Sequence, residues 1–453
     1  MDSLIFAAAE RSPSAFYDEV LNESHHAPIL GAYAEAGYAH YLFLGASGPY
    51  ARSYHFDGPC RLRALSAARP LLMWDEREME RDWPIEFDGI PRTTVPDGEG
   101  LMHFVVGPVH AGIIECGRFT FTSAGENVVH LDAQLGFGHR GVERQLEGLS
   151  ALEAAPKVAR ICGGCSAARS FAFVRAVEQL AGYMPDEPIE LARLIMAELE
   201  RLYNHVHDVA AAASAAGYAV GFARGMALKE RIMRLCALAC GHRLLFDAIP
   251  PGGAVLTNRT KLASEVNTLR SDLERFLANL FGNASLVSRW QRAGLLTPAV
   301  AEACGAVGPA ARGSAGTIDV RAFAPYGAYA SLTPSIARAT SGDVFARVAV
   351  KRDEMLESLR LLKVALNALG ATPLPEPGVI HPRDGIAYGV VEGPRGCEVV
   401  ALRVRAGRIA RLHVISSSFR NWPVVVRAME DTIVPDFPLV NKSFNLCYAC
   451  ADR

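Results

Sequence analysis

The chain has 453 residues, half of them hydrophobic, and 46 basic against 48 acidic side chains give a formal net charge of -2. This length supports a sizeable core and two or three domains, while the charge balance excludes the strong field of a nucleic-acid or anionic-membrane binder. Ten cysteines are too sparse for a disulfide scaffold, so they read as reduced thiols, some of them available to a metal.

In chain order, the opening "MDSLIFAAAERS" lacks a basic leader and has only a short apolar run, unlike a secretory signal. "HYLFLGA" (40–46) and "PCRLRALS" (59–66) read as strands. The segment 75–92 reads as a charged helical turn, broken at Pro84 and followed by an extended piece. The turn-rich "VPDGEG" (95–100) then closes a small α+β domain. Residues 101–135 are β-rich, with an "AGEN" turn. Helices are expected over 186–217, opened by Asp186 and Glu187 ahead of Pro188, and over 226–248, 259–281 and 342–370. The most apolar stretch, "VAAAASAAGYAVGFA" (209–223), is too short and too rich in Ala and Gly to span a bilayer, so attachment to a membrane would go through partners. From residue 385 the pattern alternates again, with a hairpin around "RAGR".

Two C-x-x-C pairs stand out. Cys162 and Cys165 lie in "RICGGC", ahead of a helix that Ser166 is placed to cap, where the helix dipole favours thiolates. Cys447 and Cys450 lie in "NLCYACADR". Four readings fit such pairs: small core residues, a redox pair, a structural zinc site, or a catalytic soft-metal site closed by distant parts of the chain. The residues alone do not choose the metal.

The pairs and their order resemble the large subunit of [NiFe]-hydrogenases. Arg160–Cys165 matches an R-x-C-G-x-C motif, and Cys447-x-x-Cys450-x-x-Arg453 matches the spacing of the second motif and its final basic residue. "GPVHAGIIE" (107–115), "GHRGVERQLEG" (138–148), "AELERLYNHVHD" (197–208), "GHRLLFDAIPPGG" (241–253), "ARGSAGTIDVR" (311–321) and "VEGPRG" (391–396) are similar to the energy-converting, formate-hydrogenlyase type, related in turn to the complex I 49 kDa subunit. "WDEREMERDWPIEFDGIP" (74–91) is similar to the complex I 30 kDa subunit. The resemblance implies an α+β fold: a small 30 kDa-like domain over 1–97, then a mainly helical domain with peripheral strands over 98–453.

It further implies a Ni-Fe centre, its iron carrying diatomic ligands, held by Cys162, Cys165, Cys447 and Cys450, with Cys165 and Cys450 bridging. Glu143 would pass protons, as a buried carboxylate of raised pKa suits a base, and the Arg395 guanidinium would lie over the metals. His139 and His110 read as structural histidines, and Asn204 and His205 as ties between packed helices. His205 and His207, two apart on a helix, face different ways. The implied reaction interconverts H2 with protons and electrons, passing electrons to an iron-sulfur small subunit, since this chain has no compact cysteine run for its own cluster. Further hydrophilic and membrane subunits would hold it peripherally on the cytoplasmic face of the inner membrane. Alternatives are a quinone- or NADH-dehydrogenase-type electron-transfer subunit, and a non-catalytic paralogue with an empty or zinc-filled site. Two positions depart from the family pattern: Arg169 replaces a histidine, and Asn445 replaces an aspartate. The sequence given stops at Arg453, where the family's maturation cut would fall, which fits either a processed chain or a gene without an extension.

Overall fold

A computed structural model describes residues 12–91, 95–110 and 114–453. The opening stretch up to residue 11 and part of the "GPVHAGIIE" motif lie outside these described residues. The chain folds as two compact units, Met1–Thr94 with Ala303–Gly305, and Val95–Glu302 with Ala306–Arg453.

In the first unit, helix α1 (Pro13–Glu23) begins at Ser12, whose side chain accepts from the Ala15 amide, with Pro13 at the first turn. Strands β1 (Ile29–Glu35), β2 (Tyr38–Gly45) and β3 (Gly48–His55) form an antiparallel meander. Helix α2 (Met73–Asp82) stops short of Pro84, and β4 (Cys60–Arg63) and β5 (Ile85–Asp88) pair in parallel. Aromatic and aliphatic side chains from both sheets and α1, including Phe16, Tyr41, Phe43 and Phe87, make one core.

The second unit opens with the antiparallel sheet β6 (Leu101–Val106), β7 (Arg118–Ala124) and β8 (Asn127–Gln134). Helices α3 (Val142–Gln145), α4 (Ala151–Ala159), α5 (Ser166–Ala181), α6 (Glu187–Ala215), α7 (Ala219–Cys240) and α8 (Arg259–Phe281) follow. Shorter helices α9 (Ala284–Trp290), α10 (Pro298–Ala303), α11 (Gly308–Arg312) and α12 (Val320–Phe323) lead to α13 (Val344–Leu369). The chain closes with the sheet β9 (Gly385–Gly393), β10 (Gly396–Arg405), β11 (Arg408–Ile415), then α14 (Ser417–Met429) and α15 (Phe437–Phe444). The architecture is α+β, as the sequence implies.

Helix α6 is the centre of this unit. It is buried along most of its 29 residues and packs against α7, α13 and α15. Such a helix has no solvent face, so its charged residues need partners inside the protein. The expected helix 226–248 is shifted: α7 starts at Ala219 and ends at Cys240, because Gly241 takes a left-handed φ of 85° and Leu245 and Asp247 are left-handed too. Among the described residues, no helix is long and apolar enough to cross a membrane.

Candidate metal centre

The two cysteine pairs meet. The Sγ atoms of Cys162, Cys165, Cys447 and Cys450 all lie within 4.8 Å of one another, and only Cys447 keeps partial exposure. The first pair sits in the turn between α4 and α5, and the second in the turn after α15. Four soft sulfur donors in one small volume suit nickel, iron, zinc or copper and are a poor match for magnesium or calcium. Hydrogen bonding from Cys162, Cys165 and Cys447, aided by Arg169, draws the Cys450 thiol well below its usual pKa, while the same sharing pushes Cys165 up. A site with its own stabilised thiolate is poised for a cation.

The turn before the first pair is tied to the turn before the last cysteine. Arg140 Nη2 donates to the carbonyls of Ile161 (2.6 Å) and Ala449 (2.8 Å). The same motif holds the last residues of the chain: the Gly138 amide donates to Asp452 Oδ1 at 3.0 Å, and the Arg140 amide to the Asp452 carbonyl at 2.7 Å. Glu143, buried, accepts from Arg453 Nε at 2.8 Å and from the Val414 amide at 2.9 Å, with His413 Nδ1 at 3.1 Å. The expectation of a raised Glu143 pKa is overturned. Burial acts upward, but His413, Arg453 and Arg411 outweigh it and hold the carboxylate far below the usual range.

Ser166 does not cap α5. Its hydroxyl has no hydrogen-bond partner among the described residues, and Glu200 of α6 reaches across to accept from the amides of Ala167 (2.7 Å) and Ala168 (2.9 Å). Burial raises this carboxyl to about 7 despite those two donors. Asn204, one turn further along α6, donates to the Gly164 carbonyl at 2.9 Å and accepts from Arg395 Nη1 at 3.0 Å. Asn204 therefore faces the site; its expected role in helix packing alone was too narrow. A side chain at Gly164 would meet Cys447 Sγ at 3.4 Å, and both Arg395 Nη1 and Asn204 Oδ1 at 3.5 Å, so these three atoms surround one face of the first cysteine turn.

Arg395 is buried, and its charge is secured. Burial opposes it, but Cys447 and Asp208 outweigh this and raise its pKa. It donates from Nε to the Asn445 carbonyl at 2.5 Å and from Nη2 to Asp208 at 3.5 Å. Arg201 braces the loop ahead of it by donating to the carbonyls of Glu392 (2.7 Å) and Gly393 (3.1 Å). Asn445 has a left-handed φ of 52°, which Asn tolerates, and its amide donates to Asp208 Oδ1 at 2.5 Å. Asp208 in turn binds Lys351 Nζ at 2.6 Å. Burial acts upward on Asp208, but Lys351 and Arg395 hold its carboxyl well below the usual range. His207 Nδ1 lies 3.1 Å from Asn445 Nδ2, and burial takes its pKa down to about 4. His205 turns the other way, to Glu354 at 2.8 Å. His110 stays outside the thiol cluster, its ring packed near Tyr448 and Phe119. The main-chain amide of His139 bonds to Gly136.

The sequence alone did not single out Glu200, Asp208, Lys351 and Arg140. The signal for two of them was present. Glu200, Asn204 and Asp208 recur every four residues along α6, a polar stripe on one face of a helix otherwise fit for burial.

The chain is similar to oxidoreductase subunits of the complex I 49 kDa and hydrogenase kind. Residues 215–380 match the family described as the respiratory-chain NADH dehydrogenase 49 Kd subunit, and the chain is a homologue of that family's hydrogenase and NADH-quinone oxidoreductase subunits. It is 28% identical to hydrogenase-4 component G of Escherichia coli over 77% of this chain and 61% of that one, so it spans about three-fifths of that relative's length. It is 28% identical to the membrane-bound hydrogenase subunit alpha of Pyrococcus furiosus, over 77% of this chain and 86% of that one. It is also 28% identical to the carbon monoxide-induced hydrogenase of Rhodospirillum rubrum, over 77% of this chain and 98% of that one.

Proposed function

We propose that this chain is the large subunit of a complex-I-like [NiFe]-hydrogenase and takes part in the reversible conversion H2 ⇌ 2 H+ + 2 e-. The observation that carries this reading is the meeting of two distant C-x-x-C pairs in one set of four thiols, three of them buried. The donor set fits a Ni-Fe centre, and Cys162, Cys165, Cys447 and Cys450 would hold it. When bound, that centre supplies the polarisation and the electron storage that H2 cleavage needs.

The protein's own groups account for the rest. Arg395 puts a fixed cation beside Cys447, on a loop braced by Arg201. Asp208, ionised by Lys351 and Arg395, keeps that guanidinium in place and orients the Asn445 amide. Glu143 is an ionised carboxylate whose partner, Arg453, also donates to the Cys450 carbonyl at 3.2 Å. Held so low it is a weak base, a site that would carry a proton only transiently, two hydrogen bonds from the ligand turn. The two electrons leave to an iron-sulfur partner subunit. The first unit would serve as a 30 kDa-like domain, spanning 1–97 in this reading, and attachment to the cytoplasmic face of a membrane would come through other subunits.

The test is isotope exchange, which needs no electron acceptor. The assembled complex, incubated under D2 in H2O, is expected to release HD. A correctly metallated complex that gives none contradicts the reading.

A further inference from the structure

Arg169 is a fully buried guanidinium beside the thiols. Its Nη2 donates to Glu398 Oε2 at 2.6 Å and lies 3.5 Å from Cys450 Sγ. The other carboxylate oxygen, Glu398 Oε1, is taken by the amide and hydroxyl of Ser417, at 3.0 and 2.6 Å. Nη2 carries two hydrogens, so one serves the carboxylate and one the sulfur. The remaining Nε and Nη1 have no hydrogen-bond partner among the described residues. A guanidinium with three of its five N–H bonds unanswered in a dry interior is costly to bury for packing alone. A cation of fixed charge answers the accumulated negative charge of four thiolates.

We propose that Arg169 is the cluster's built-in donor: it gives an N–H to Cys450 and thereby makes Cys450 the least electron-rich of the four sulfur ligands. The inference rests on the reading of the four cysteines as a metal ligand set, and not on the metal being nickel. Its positioning role belongs to this chain's own Arg169, in place of the neutral imidazole that the resemblance led one to expect. Glu398, anchored by Ser417, fixes the direction of the guanidinium, and the unanswered donors are available to acceptor atoms of whatever group the thiolates take up.

The experiment uses the full chain, prepared metal-free under anaerobic conditions and loaded with Co(II) alone. Its sulfur-to-cobalt charge-transfer bands report how tightly the sulfur lone pairs are held. The double variant Arg169→Met/Glu398→Gln removes donor and counter-charge together, so that neither is left buried and alone. The expected result is a shift of the bands to lower energy with about tenfold weaker cobalt binding, whereas Glu398→Gln alone, which keeps the donor, moves them less. An unshifted band in a folded, cobalt-loaded double variant overturns the proposal, as does the full shift from Glu398→Gln alone. If the double variant does not fold, Arg169→Leu/Glu398→Leu answers the same question: the donor is gone with its counter-charge, and an unmoved band there overturns the proposal too. Cobalt reads Arg169 whatever the native metal is, so a native complex without nickel would overturn the functional reading and leave this one standing.

Discussion

Arg140 donates from Nη2 to the main-chain carbonyl of Ala449 over 2.8 Å, and that one nitrogen also holds Ile161 at 2.6 Å. The residues so joined immediately precede Cys450 and Cys162. A metal centre built from distant parts of a chain needs such a pin, because otherwise the metal itself must hold the halves together. Replacing Arg140 with Met is expected to weaken metal retention about tenfold, the lower end for a residue supporting ligands. The change in stability of the metal-free chain should be smaller, since much of the Arg140 side chain is exposed. Metal retained per chain after graded chelation is the measurement, and equal retention by variant and wild type would count against the pin.

Asp208 and Lys351 are both buried, 2.6 Å apart. Removing one partner leaves the other charged in a dry interior, so Asp208→Asn is expected to cost about 3–5 kcal/mol. The double variant Asp208→Asn/Lys351→Met should recover a large part of that loss. Urea unfolding of the four proteins in a double-mutant cycle gives the coupling, and additive losses would show that the pair is not coupled.

Acid should loosen the site through His207. Burial lowers its pKa to about 4 in the folded chain, whereas an imidazole in the unfolded chain takes its proton near 6.5. Between those values the unfolded state binds the extra proton. Stability is therefore complete above about 6.5 and is lost as pH falls towards about 4, by on the order of 2–3 kcal/mol. The unfolding midpoint of the metal-free chain, compared at pH 7 and pH 5, is expected to fall in the wild type and to fall less in His207→Asn. Identical acid sensitivity in both would assign the effect elsewhere.

Glu143 should stay ionised at neutral pH and pass a proton only transiently, since His413, Arg453 and Arg411 overcome its burial. Glu143→Gln keeps the shape and loses the proton site, so D2/H2O exchange is expected to slow at least a hundredfold with metal content unchanged. Unchanged exchange would remove Glu143 from the proton route.

The ligand set was legible because cysteine spacing is a short-range signal: two C-x-x-C pairs are visible whatever the fold. The start of α6 was also legible, since Asp186, Glu187 and Pro188 form a local code. What escaped was contact across elements. Ser166 looked like the cap of α5, but the amides of Ala167 and Ala168 are taken by Glu200 from another helix. Glu143 looked like a carboxyl of raised pKa because burial is inferable from a motif; the partners that reverse its shift, Arg411, His413 and Arg453, come from β11 and the final residue of this sequence. Asn445 looked like a lost acid, yet Asp208, far away in sequence, places a carboxylate against its amide. In each case the deciding partner lies hundreds of residues away or on a different helix, beyond the reach of any local pattern.

The central claim is that the four thiols hold a Ni-Fe centre. The most direct test is metal analysis with infrared spectroscopy on the complex purified anaerobically with its partner subunits and maturation factors. The account predicts one nickel per chain bound by this subunit, with sharp absorption from iron-bound diatomic ligands, and loss of both in Cys447→Ser. A fully assembled complex that carries zinc or no metal in this subunit, without those bands, would contradict it.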